Sequence, residues 1–283
     1  MTYHIFHLKE AFPQLGNESV DPTLTVYLPD LMVEMGRKDQ KRPCLLICPG
    51  GAYGWCSQRE AEPIAVHFLP EGFNVFVLNY SVAPSRFPTQ LREVAAAMEL
   101  IYRNADCWNC DVNRIAIMGF SAGGHLAAHY STCFDWPQVR EVFPESKAVQ
   151  ASILCYPVIS ADPGVAHLGS FENLLGHSPL TAEETARFSC HLQVTDHTPP
   201  AFLWHTAEDG AVPVMNSLLY AQALAVHQVP FELHVYPYGG HGMATVDEQT
   251  NDGLTPGAMH AAAWIGGAKK WLRLTFGREG SLL

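Results

Sequence analysis

The chain has 283 residues, 48% of them hydrophobic and 16% charged, with a formal net charge of -11. That balance describes a globular protein with a sizeable core and excludes a disordered chain. The acidity argues against nucleic acid or an anionic membrane as the main partner, and no apolar run is long enough to span a bilayer.

In chain order, residues Met1 to Glu10 show no basic leader followed by an apolar core, so no secretory signal is expected. Thr23 to Leu28 alternates like a strand and stops at Pro29-Asp30. The polar bend from Gly36 to Arg42 then predicts an antiparallel hairpin at a sheet edge. Cys44 to Cys48 is apolar on both faces, which predicts a fully buried strand, and it runs into Pro49-Gly50-Gly51-Ala52-Tyr53-Gly54. A helix over Glu62 to Leu69 and a buried strand over Asn74 to Leu78 follow. After a loop from Pro84 to Pro88, the spacing of Leu91, Val94, Ala95, Met98, Ile101 and Tyr102 predicts an amphipathic helix to Asn104.

The apolar run Arg114 to Met118 enters Gly119 to Ala127, and a further strand is expected at Ala151 to Cys155. Between 160 and 198 the pattern loosens into short helical pieces, Phe171 to Leu175 and Ala182 to Phe188, which reads as a small insertion or partial cap. Regularity returns with a strand at Ala201 to His205 and a helix at Val214 to Val226. A strand at Phe231 to Tyr236 and a final helix at Pro256 to Leu274 complete the pattern. Strands alternating with helices predict an α/β fold, its mostly parallel sheet covered on both faces. One domain over 1–283 is the simplest account. Eight cysteines are scattered, and Cys44, Cys48 and Cys155 fall in apolar strands where buried free thiols belong. Reduced thiols and a cytoplasmic location are expected.

Gly119-Phe120-Ser121-Ala122-Gly123 is a G-x-S-x-G pattern between a strand and an alanine-rich helix, the setting of a nucleophile elbow. Glycine suits 119 and 123 because the turn is tight and neighbouring elements approach closely. An activated serine needs a base, and an acid that orients the base; the expected chain order is Ser, then Asp or Glu, then His. Asp209, on the loop after the 201–205 strand, is the candidate acid, with Glu208 its rival. The alternative is that either carboxylate merely caps the helix beginning near Pro213. His241, between Gly240 and Gly242 after the 231–236 strand, is the candidate base, against a plain loop histidine. For the oxyanion of acyl transfer, Ala122 offers one backbone amide and Gly50 or Gly51 a second, with Ala52 a weaker choice.

Other patterns carry less. Cys107 and Cys110 match C-x-x-C, but no second pair at zinc spacing follows, so they read as a turn into the elbow strand. His125 and His129 lie four apart without the glutamate of H-E-x-x-H and read as packed side chains. No nucleotide loop appears. Neither a metal nor a cofactor is expected.

Pro49-Gly50-Gly51-Ala52-Tyr53, Tyr80 to Pro84, Gly119 to Ala127, Asp209 to Pro213 and Gly240-His241-Gly242 resemble the α/β-hydrolase fold. The resemblance is closest to its esterase/lipase branch with acetyl xylan esterase-like carbohydrate esterases. It implies Ser121 as nucleophile, Asp209 rather than Glu208 as acid, and His241 as base. Relatives of hormone-sensitive lipase often begin the oxyanion loop with His-Gly-Gly-Gly. Here proline stands first, so support for that loop must come from elsewhere. Tyr53, Arg59 and Glu60 are candidates for lining the pocket or bracing the loop. The implied activity is serine carboxylic-ester hydrolysis, removing short acyl groups, acetyl above all, from a sugar or oligosaccharide. A peptidase or amidase on the same fold is the alternative, and after it a non-catalytic ligand-binding protein. The number of subunits, and with it a homo-oligomer, stays open.

Overall fold

The computed structural model describes residues 1–277; residues 278–283, included in the domain expected over 1–283, lie outside them. Eight strands form one sheet: β1 (Thr2–His7), β2 (Thr23–Leu28), β3 (Arg42–Cys48), β4 (Asn74–Asn79), β5 (Cys110–Phe120), β6 (Ala151–Cys155), β7 (Ala201–Thr206) and β8 (Phe231–Tyr236). Their order is β1-β2-β4-β3-β5-β6-β7-β8. Pairings β1/β2 and β2/β4 are antiparallel; from β4 through β3 to β8 every neighbour is parallel.

Alternation along the central strands builds two cores. Cys44, Leu46 and Cys48 of β3 face one cluster, while Leu45 and Ile47 face the other, as a period of two requires. The first cluster packs under the helices Thr89–Arg103, Ser121–Cys133 and Met215–Val226. The second packs under Glu62–Phe68 and Ala263–Thr275, which brings Trp264 against Trp204 in a stacked pair with centroids 5.1 Å apart. Burial on both faces is what a parallel sheet demands.

The N-terminal edge differs from expectation. The predicted hairpin between 23–28 and 42–48 does not form, because β2 pairs with β4 and β1 and not with β3. β1 has no counterpart in the sequence reading: as an edge strand it is almost wholly exposed and has no buried alternation to read. The last helix is entered through a short turn at Pro256–Met259 and a 3-10 turn at His260–Ala262 before it runs regularly.

The elbow between β5 and the helix Ser121–Cys133 is compressed. A Cβ at Gly119 would lie 2.1 Å from the Gly123 carbonyl oxygen, and one at Gly123 would lie 2.2 Å from the Cys48 carbonyl oxygen. Both clashes are with backbone, which has no rotamer by which to escape. Gly119→Ala is therefore expected to cost about 3 kcal/mol or more, read as a lowered urea midpoint with unchanged slope. A stability within about 0.5 kcal/mol of the native protein would contradict the packing described.

Candidate active site

Ser121 takes a left-handed backbone conformation, φ 54°, at the carboxyl end of β5. A side chain at positive φ is strained, and here the strain aims the hydroxyl out of the sheet. His241 Nε2 lies 2.7 Å from Ser121 Oγ, and His241 Nδ1 lies 2.7 Å from Asp209 Oδ2. A carboxylate only accepts, so Nδ1 carries the proton and Nε2 is left to accept from the serine hydroxyl. The three residues, supplied by the loops after β5, β7 and β8, thus form one chain of hydrogen bonds.

Asp209 is buried and richly bonded. Its Oδ1 accepts the Ala211 and Val212 amides at 3.0 and 2.9 Å, a local turn that fixes the carboxylate plane. Beneath it lies His205, fully buried, with Nε2 at 3.3 Å from Asp209 Oδ2 and 2.8 Å from the Val212 carbonyl. Facing two acceptors, that nitrogen holds the proton, and Ser217 Oγ donates to Nδ1 at 2.8 Å. Burial alone would raise the Asp209 pKa; hydrogen bonds from His205 and His241, the His241 charge and the Val212 amide outweigh it and hold the carboxyl well below the usual range. Glu208 turns away, its Oε2 accepting the Gly239 amide at 3.1 Å. It steadies the loop that carries His241 without touching the imidazole.

The loop after β3 differs in one respect from the sequence reading. The Gly50 amide donates to Glu60 Oε2 at 2.8 Å, so it is engaged inside the protein and is not directed at an oxyanion. Gly51 and Ala52 both line the cavity beside Ser121. Ala122 sits in the first helical turn, where backbone N–H groups lack intrahelical acceptors. Glu60 also accepts the Tyr156 hydroxyl at 2.7 Å, and that hydroxyl accepts the Ala244 amide at 3.0 Å. The Tyr156 ring meets His241 edge-on, with centroids 5.1 Å apart. Glu60 supplies the support that Pro49 cannot give, and Tyr80 adds a hydroxyl bond of 2.7 Å to the Pro49 carbonyl. Burial pushes the Glu60 pKa up, because its bonded partners are neutral donors that only partly offset desolvation.

Tyr53 does not line the pocket. Its ring is buried in the core and its hydroxyl pairs with His125 Nδ1 at 2.8 Å, because positive φ at Ala52 and Tyr53 folds the loop inward. His125 Nε2 is taken by the Phe188 carbonyl at 2.9 Å, and His129 is buried against Phe87 and Trp136, as packed side chains. Burial drives the His125 pKa down to about 4. Cys107 stands in the exposed turn before β5 and Cys110 begins that strand. Arg59 does reach the cavity mouth, with Nη1 on the Thr250 carbonyl at 3.1 Å. The cavity itself has a volume of about 170 Å3 and also receives Trp55, Ser57 and His167. Tyr156, Trp55 and His167 are absent from the sequence reading, where His205 figures only as the end of a strand. A tryptophan inside a glycine-rich loop was a usable signal; nothing in the irregular 160–198 stretch singles out His167.

A mostly parallel sheet with a serine elbow at one strand end, met by a histidine and an aspartate from later strand ends, defines an α/β hydrolase. The chain belongs to the BD-FAE family, whose model matches residues 30–224. It is 38% identical over 241 residues to endo-1,4-beta-xylanase B of Butyrivibrio fibrisolvens, a match covering 82% of this chain and 37% of that one. It is 34% identical over 198 residues to an acetylxylan esterase of Xylanibacter ruminicola, covering 69% of this chain and 39% of the relative. The chain thus spans well under half the length of these curated relatives. Among solved structures, an acetyl ester-xyloside bifunctional hydrolase from Caldicellulosiruptor lactoaceticus superposes with a TM-score of 0.82 at 35% identity, covering 98% of this chain and 97% of the other. A carboxylesterase from Lactobacillus plantarum WCFS1 gives 0.83 at 28% identity, covering 99% and 100%.

The Glu60 brace yields a pH-dependent expectation. Glu60→Gln keeps the shape and, like the protonated acid, presents one acceptor and one donor where the ionised carboxylate presents two acceptors to Gly50 and Tyr156. With its pKa raised, native Glu60 holds its proton to higher pH folded than unfolded. The stability tied to that proton is present below the ordinary carboxylate pKa of 4.5 and is lost as pH rises through the folded-state value. Glutamine does not titrate, so the stability of the native protein relative to the variant should be greatest in acid and fall toward neutrality. Denaturant titrations of both proteins at several pH values check this, and a relative stability that rises with pH would reverse the sign.

Proposed function

We propose that the protein is a serine carboxylic-ester hydrolase that removes short acyl groups, chiefly acetyl, from a sugar or oligosaccharide. The observation that carries this reading is the Ser121–His241–Asp209 hydrogen-bond chain opening onto a small cavity. Ser121 Oγ attacks the ester carbonyl carbon as its proton passes to His241 Nε2. Asp209, kept ionised by its donors, stabilises the imidazolium. The Ala122 amide and that of Gly51 hold the oxyanion. Collapse breaks the bond to the alcohol, which leaves with the proton from His241. Water then gives a proton to His241 and attacks the acyl carbon; the bond to Ser121 Oγ breaks, the serine takes that proton from His241, and the acid is freed.

The cavity of about 170 Å3 falls below the common range for small-molecule sites, which supports short acyl groups over long ones. The esterases among the relatives, including one named for acetylxylan and one for acetyl ester-xyloside hydrolysis, support ester over amide chemistry and a saccharide as the alcohol. All eight cysteines are free thiols, which supports a reducing, cytoplasmic setting. No helix among the described residues is long and apolar enough to cross a membrane.

Ser121→Ala should lower the hydrolysis of p-nitrophenyl acetate by roughly ten-thousand-fold with the fold intact by circular dichroism. The native protein should release acetate from acetylated xylo-oligosaccharides, and its rate should fall as the acyl chain lengthens. Faster turnover of aminoacyl amides than of acetyl esters would move the assignment to a peptidase. Activity surviving in Ser121→Ala would remove the mechanism.

A further inference from the structure

Of the six tryptophans, only Trp55 is exposed, with 62% of its surface open, and it stands at the mouth of the cavity beside Ser121. An isolated exposed apolar side chain needs no explanation. Trp55, however, is fixed in a tight turn: both the Gly54 and Trp55 amides bond the Gly51 carbonyl, at 2.8 and 3.1 Å. The turn is so close that a Cβ on Gly51 would fall 2.1 Å from the Trp55 carbonyl oxygen. The indole is thus a platform tied to the loop that faces the ester carbonyl.

His167 reaches the same cavity from the 160–198 segment. Its Nδ1 is engaged by Ser170 Oγ at 2.9 Å, while Nε2 has no hydrogen-bond partner among the described residues. Whichever nitrogen carries the proton, Nε2 is a free donor or acceptor at the cavity wall. Arg59 adds a guanidinium with donors to spare beyond its bond to the Thr250 carbonyl. An aromatic face ringed by neutral and cationic hydrogen-bonding groups fits neither a hydrocarbon chain nor a small aliphatic alcohol. It fits a pyranose ring, whose C–H face carries slight positive charge toward the π surface and whose rim carries hydroxyls.

We propose that Trp55 and His167 form the subsite for the alcohol part of the ester, a pyranose stacked on the indole with a hydroxyl bonded to His167 Nε2. This rests on the esterase reading above and assigns its specificity to two side chains from separate parts of the chain. The acyl group then points to Ser121 while the ring lies outward at the cavity mouth.

The test is the ratio of kcat/KM for an acetylated methyl β-xyloside to that for ethyl acetate, in the native protein and in Trp55→Ala, Trp55→Phe, His167→Ala and His167→Gln. Each alanine variant is expected to lower the ratio roughly tenfold, mostly through KM of the sugar ester, and Trp55→Phe and His167→Gln to retain part of what alanine loses. An unchanged ratio, or two substrates falling in parallel because Trp55 merely holds Gly51, would overturn the subsite. A second measurement needs no turnover: calorimetric binding of xylobiose to Ser121→Ala should weaken to a similar degree when Trp55→Ala is added. Ethyl acetate turned over with the ratio unmoved leaves the esterase standing and rejects the subsite. Xylobiose binding that depends on Trp55 without any ester hydrolysis does the reverse.

Discussion

The contact on which the site depends is the close approach of the elbow helix to the end of β3, built from both sides by missing side chains. On one side, a Cβ at Gly123 would meet the Cys48 and Pro49 carbonyl oxygens at 2.2 and 2.3 Å. On the other, a Cβ at Gly50 would fall 2.7 Å from the Phe120 carbonyl oxygen and 2.9 Å from Ser121 Cβ. Only because both are glycine can the first helical turn sit against the 49–52 loop, and only then do amides from two separate loops border one space. The left-handed backbone at Ser121 is the local cost of this arrangement. The packed sheet meets that cost, since β3 and β5 pair in register from Cys44 to Cys48, up to the elbow.

Two buried carboxylates stand near this contact, and their environments push them in opposite directions. Asp209 faces two imidazoles and two amides, so burial is outweighed and the negative charge is stabilised. Glu60 bonds an amide and a phenol, and these neutral donors, with the charges of His241 and Arg59 nearby, do not match the cost of desolvation. The difference suits their places. A carboxylate held against two imidazoles gains from a fixed charge. One that ties the 49–52 loop to Tyr156, and through Ala244 to the loop of His241, needs hydrogen-bonding reach more than charge.

Much of this was legible because it is periodic or punctuated. The buried strands show as apolar runs, the amphipathic helix at 89–103 by its spacing, and the elbow, Asp209 and His241 by glycines and chain order. What escaped reading depends on contacts distant in sequence. β1 is exposed, so nothing in its own composition declares it, and the partner of β2 is settled by β4 some fifty residues later. Gly50 and Gly51 are alike as letters; Glu60, ten residues on, decides which amide is consumed. Tyr53 resembles a pocket residue by its place in the loop, yet two successive positive-φ residues send it into the core.

The 160–198 segment is legible in the sequence only as an interruption, and its anchoring argues that it is a wall of the site more than a mobile lid. Asn173 Nδ2 donates to the Ala52 carbonyl at 2.9 Å, tying the segment directly to the 49–52 loop. Arg86 Nη1 bonds the Asn173 carbonyl at 2.7 Å, and the Phe87 amide bonds the Leu174 carbonyl at 2.9 Å. Farther along, the Phe188 carbonyl takes His125 Nε2, and the Cys190 amide bonds the Ile159 carbonyl. Phe171, Leu174 and Phe188 are buried in the same core as the elbow helix. Swinging the segment aside would expose these side chains and break bonds at several points at once, a sub-global opening rather than a hinge motion. A wall held in this way fixes His167 relative to Ser121 before any ligand arrives, so the geometry of the cavity is a property of the resting fold.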